Sequence, residues 1–98
     1  MRVVYSPRAI RDLEHIAAYY RAVADRKIAA AISERIEQVI SRVARRPQSA
    51  PRVVDRPGVR AVLALRYPYK IFYRLRGDAI EVLHIRHTAR QPWIDDAE

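Results

Sequence analysis

Between Tyr67 and His87 the chain reads YPYKIFYRLRGDAIEVLHIRH, with cations threaded through an apolar alternation. Lys70 and Arg74 share strand parity with Phe72, so a strand here sets both cations and the ring on one face. Arg60 and Arg66 stand at same-face spacing on the preceding apolar segment, and Arg90 follows just beyond the last strand. Cationic groups on a rigid sheet can position phosphates, and at an RNA cleavage site they can stabilise charge developing on a phosphorane. His87 offers a general acid or base that titrates near neutral pH. The candidate target-binding set is therefore Arg60, Arg66, Lys70, Arg74, His87 and Arg90. Lys70, His87 and Arg90 are its catalytic candidates if the chemistry is RNA cleavage. The competing reading is that these are solvent-facing strand residues beside a helix-covered core.

Other chemistries fail on residue type or spacing. Cysteine is absent, which removes disulfides, thiolate catalysis and cysteine-ligated metals. Neither glycine has a partner at the spacing of a phosphate-binding loop. Ser6, Ser33, Ser41 and Ser49 lack the glycine-flanked turn of a hydrolase nucleophile. His84 and His87 are three apart on a strand and point to opposite faces, so they do not chelate one metal. His15, on a helix, reads as a surface residue. No metal or cofactor is expected.

The elements that must position the cluster follow from periodicity. Arg2 to Tyr5 is a β-branched run that reads as a strand. Ser6-Pro7 then starts a helix, serine as N-cap and proline at the first helical position. Ile10, Leu13, Ile16, Ala17, Tyr20 and Ala24 form its apolar stripe. Asp25 caps a second helix, with Ile28, Ile32, Ile36, Val39, Ile40 and Val43 as its stripe, ending in Ala44-Arg45-Arg46 before Pro47. Gln48 to Gly58 reads as loop, with room for a short strand at Val53-Val54. Val59 to Leu65 is a strand, and Pro68 argues for a break or bulge before the next one.

Tyr69 to Leu75 and Ala79 to Ile85 make a hairpin about Gly77-Asp78. That loop pairs Arg74 with Glu81, Tyr73 with Val82, Phe72 with Leu83 and Ile71 with His84. The order β-α-α-β-β-β predicts an α+β domain over residues 1–98: a small antiparallel sheet with a two-helix hairpin packed on one face.

Composition supplies the direction of partnership. Lys and Arg number 19 against 11 Asp and Glu, a net charge of +8, and all but two of the cations are arginine. Such an excess points to a polyanion, either nucleic acid or an acidic protein, though charge also serves solubility alone. The N-terminal MRVVYSPRAIRD turns polar too early for a signal peptide, and no apolar run is long enough to span a bilayer. A cytoplasmic protein is expected, with no membrane partner.

Taken as whole segments, the residues resemble the ParE/RelE superfamily, the toxins of type II toxin–antitoxin systems. The resemblance covers nearly the whole chain. It begins with YSPRAIRDLEHIAAYY and continues through RRPQSAP after the second helix and VRAVLALRYPYKIFYRL. It ends in DAIEVLHIRHTARQPW. YPYKIFYR with IEVLHIRHTAR is its most specific part. Ser49 stands where the family often has glycine, a departure confined to a loop.

The resemblance implies a compact β-α-α-β-β-β toxin held inactive by a partner antitoxin, and the net charge of +8 makes an acidic one the expectation. Its RelE-like branch cuts mRNA on the ribosome with basic sheet residues and usually a C-terminal tyrosine or histidine. Lys70 and Arg90 fall on that branch's basic positions, but no tyrosine follows Tyr73. His87 matches the histidine of a His-x-x-Arg ending common in the ParE-like branch, whose members poison DNA gyrase and are not known as nucleases. The sequence leans to the ParE-like branch. A ribosome-dependent mRNA endonuclease is the alternative, and a basic nucleic-acid-binding module without chemistry stands behind both.

Overall fold

The computed structural model describes residues 1–89. Six elements follow in the expected order: β1 Arg2–Tyr5, α1 Pro7–Val23, α2 Arg26–Arg45, β2 Val59–Ala64, β3 Tyr69–Arg76 and β4 Ala79–His87. Both helix starts are built as their sequences require. Ser6 Oγ accepts from the Ala9 N–H at 3.0 Å with Pro7 as the first helical residue, and Asp25 Oδ1 accepts from the Ile28 N–H at 2.9 Å. Only Ala24 and Asp25 separate the helices, so they fold back on each other as a hairpin.

The four strands lie in the order β1-β4-β3-β2. β2, β3 and β4 pair antiparallel, whereas β1 runs parallel to β4, with Arg2 opposite Ala79 and Tyr5 opposite Val82. The sheet is therefore mixed, not wholly antiparallel as the sequence suggested. The reason is parity: the helical hairpin and the loop after it return the chain in its starting direction, and two hairpin reversals restore that direction in β4. A salt bridge at 2.9 Å between Arg2 and Asp78, both exposed, closes this junction at the surface and holds the Asp78 carboxyl below its ordinary range.

One face of the sheet carries the core. Tyr69, Ile71, Tyr73, Ile80, Val82 and Ile85 pack against Ala9 and Ile16 of α1 and against Ile32, Ile36, Val39, Ile40 and Val43 of α2. Leu13 and Tyr20 complete the α1 stripe, while Ile10 and Ile28, expected in the stripes, are exposed at 47% and 44%. The buried line on α1 thus runs Ala9, Leu13, Ile16, Tyr20, one position off the expected start. No helix among the described residues is long and apolar enough to cross a membrane.

Two irregularities depart from the expected register. The β3–β4 pairing holds from Arg76–Ala79 to Tyr73–Val82 and then shifts, so Phe72 faces His84 and Ile71 faces Ile85. An extra residue, Leu83, is accommodated in β4 as a bulge that the sequence did not suggest, while the break expected at Pro68 is the turn between β2 and β3. At the other edge no strand forms at Val53-Val54. Arg52 makes a single bridge to Arg60, and backbone bonds from Val53 N–H to Val59 O and from Ala61 N–H to Pro51 O cover the free side of β2.

Candidate target-binding surface

The face turned away from the helices reads as three rungs across β2, β3 and β4: Leu63–Lys70–Arg86, Ala61–Phe72–His84 and Val59–Arg74–Glu81. The middle rung is buried. Phe72 is 3% exposed and forms a small cluster with Val59 and Ala61, against which Val53 and Leu83 pack. His84 lies on the Phe72 ring nearly parallel to it, with centroids 5.8 Å apart at 16°.

The first rung is the unusual one. Lys70 and Arg86 stand directly opposite each other, an arrangement that like charges on paired strands ordinarily disfavour. Phe72 relieves part of that repulsion. Lys70 Nζ lies 5.7 Å and the Arg86 guanidinium 5.6 Å from its ring centroid, both within cation–π range. In the third rung two arginines share one carboxylate. Arg74 Nε meets Glu81 Oε1 at 2.8 Å and Arg76 meets Oε2 at 3.3 Å.

His84 is held from outside the sheet. β1 ends at Tyr5, so the β4 edge beyond Val82 loses its strand partner, and the start of α1 takes over. Ser6 N–H donates to Val82 O at 2.9 Å and Ser6 Oγ–H to Leu83 O at 2.9 Å. Asp12 Oδ2 then accepts from the Ile85 N–H at 2.9 Å and from His84 Nδ1–H at 2.7 Å. A carboxylate only accepts, so the proton of this bond sits on His84 Nδ1.

The sequence-derived candidates separate in the structure. Lys70 and Arg74 share the outer face as expected. Arg60 does not join them: it is opposite Tyr73, on the helix side, and its guanidinium donates to Gln48 O at 3.1 Å and Ala50 O at 2.7 Å. Spacing within β2 established only that Arg60 and Arg66 share a parity. Across this register even positions of β2 oppose odd positions of β3, which sends Arg60 to the other side. Arg66 lies past the strand in the β2–β3 turn, exposed, with a left-handed φ of 84°. His87 faces Tyr69, with ring centroids 5.4 Å apart, and its Nδ1 accepts from the Ala89 N–H at 3.1 Å. It is thus on the opposite face from Lys70. Arg90 lies outside the described residues.

Sequence reasoning passed over Arg86, His84 and Asp12. The signal for the first two was present: the core residues of β4 are Ile80, Val82 and Ile85, and the change of step from two to three marks the bulge. It puts Glu81, His84 and Arg86 on one side. Nothing local announces Asp12, which is 72 residues from its partner.

Arg60 is a clasp on the loop after α2, together with Tyr73, whose hydroxyl donates to Pro47 O at 2.7 Å. Burial pushes the Tyr73 phenol above its ordinary pKa, with the Arg60 charge pulling the other way. Arg60→Ala removes charge-assisted bonds to two carbonyls and is expected to cost about 1.5–3 kcal/mol. Urea denaturation should show that loss, with biological activity falling only as stability falls.

A helical hairpin on one side of a small mixed sheet is the fold of solved ParE- and RelE-type toxin structures. Within that class the chain belongs to the ParE toxin family: the family's sequence model, "ParE toxin of type II toxin-antitoxin system, parDE", matches residues 3–92. The structure is similar to one described as the chromosomal ParDE TA system from P. aeruginosa. The TM-score is 0.79 at 25% identity, over 89% of this chain and 95% of that one. It also resembles the isolated E. coli RelE toxin, with a TM-score of 0.67 at 14% identity over 92% and 86% of the two chains, a likeness of fold. A sequence comparison with curated proteins gives no significant match.

Proposed function

We propose that this ParE-family toxin acts on DNA gyrase through the outer face of its sheet, and that an acidic antitoxin neutralises it. The observation favouring this over ribosome-dependent RNA cleavage is the separation of His87 from Lys70. A general acid or base must lie within hydrogen-bond reach of the proton it moves. His87, on the Tyr69 side, does not share a face with the Lys70–Arg86 rung, and its Nδ1 already accepts a backbone bond. His84 does share that face, but it is 6% exposed and tied to Asp12. What remains is a cationic surface suited to binding, as a poison of another enzyme requires. The net charge of +8 supports an acidic partner, whose disordered segment would order on the toxin.

Two assays decide the matter. Added to gyrase and supercoiled plasmid, the purified toxin is expected to yield double-strand breaks that depend on gyrase. Added to a translating extract, it is expected to leave mRNA intact. Cleavage of mRNA at ribosomal A sites without gyrase-dependent breaks would reverse the assignment. Co-expression of the cognate antitoxin should restore growth and yield a complex that survives purification.

A further inference from the structure

We infer that Asp12 and His84 are a positioning pair for the outer face, fixing where its two opposed cations stand. The inference rests on reading that face as the target surface, and its steps are contacts already described. One carboxylate oxygen, Asp12 Oδ2, holds both the Ile85 backbone N–H and His84 Nδ1–H. The imidazole is therefore locked to the backbone of its own strand through a residue of α1, and it cannot turn without losing the 2.7 Å bond. So held, the ring lies at 16° to Phe72 and closes one side of it. Phe72 in turn is the shared seat of Lys70 and Arg86, at 5.7 and 5.6 Å.

The bulge at Leu83 is what brings His84 into this stack. Without the register shift Phe72 would face Leu83, and the histidine would turn toward the core. Ser6, the N-cap of α1, and Asp12, in its second turn, hold the shifted segment. His84 is 6% exposed, so its part is to orient the rung beside it and not to meet the target.

The test compares Asp12→Asn, Asp12→Ala and His84→Asn in the full chain. Asparagine at position 12 keeps an oxygen able to accept both bonds, and its toxicity is expected to stay within about twofold of wild type. Asp12→Ala is expected to lose about tenfold, measured well below its melting temperature with an unchanged far-ultraviolet spectrum. His84→Asn retains a donor for Asp12 but has no ring for Phe72, and should lose as much. It carries the test if Asp12→Ala does not fold. Nitrogen-15 resonances of the Lys70 ammonium and Arg86 Nε provide a readout that involves no target. They should move in Asp12→Ala and His84→Asn and stay in place in Asp12→Asn.

Unmoved cation resonances in a folded His84→Asn protein would overturn the inference. So would an Asp12→Asn variant as impaired as Asp12→Ala, because charge rather than placement would then be at work. Failure of the underlying reading looks different: Lys70→Met would remain fully toxic, while the resonances would still report whether the pair positions the rung.

Discussion

Phe72→Ala is expected to lower the stability of the fold by about 3–5 kcal/mol, the range for deleting a buried phenylalanine ring. Against a total of about 5–15 kcal/mol for a domain of ordinary stability, that is a large fraction. Phe72 lies outside the helix-covered core, yet at 3% exposure its ring is as enclosed as the core residues. Its removal would take the stacking surface from His84, the seat from Lys70 and Arg86, and the central member from the cluster with Val59 and Ala61. With no aromatic face near both cations, the cost of their opposition would no longer be offset by cation–π attraction. Phe72→Leu keeps most of the volume but not the π-face, and should lose about 1.5 kcal/mol or less. Urea unfolding of the three proteins measures this directly. A loss under about 1 kcal/mol in the alanine variant would mean that the ring is not packed as described.

Lys70→Met should have the opposite profile, with activity falling and stability holding. Methionine keeps an unbranched apolar chain against Phe72 and removes only the charge. If the Lys70–Arg86 rung meets the target, toxicity should fall by about tenfold or more, as a loss of about 1.4 kcal/mol in binding implies. The melting temperature should hold or rise slightly, because a like-charge opposition worth about 0.2–1 kcal/mol disappears. Lys27→Ala, an exposed cation on α2, is the control that removes equal charge elsewhere and should remain toxic. Equal toxicity of all three proteins would assign the outer face to solvation and direct the search for a target site to the helices.

Much of this molecule is legible in its residues. The helices announce themselves by Ser6-Pro7 and Asp25 and by their apolar steps, and the β3–β4 hairpin by Gly77-Asp78, because capping and turn chemistry act over a few residues. What could not be read locally was set by partners far along the chain. The parallel pairing of β1 with β4 depends on the path of the 73 residues between them (79 − 5 − 1). The face on which Arg60 lies depends on the register with β3, and parity within one strand does not reveal it. Arg86 and His84 were displaced from view by a single extra residue, since a one-position slip exchanges the two sides of a strand. The site was thus half visible: Lys70 and Arg74 by their spacing, their neighbours only through tertiary contacts.

The parallel pairing of the first strand with the last also has a temporal side. Arg2 and its partner Ala79 are 77 positions apart (79 − 2), an interval that translation at about 5–20 residues per second covers in roughly 4–15 s. During those seconds the contacts within the helical hairpin are local and available, but the sheet that carries Phe72, Lys70 and Arg86 cannot be completed. The outer face is among the last parts to be assembled, so if that face meets the target, a growing chain is inactive until β4 has been made.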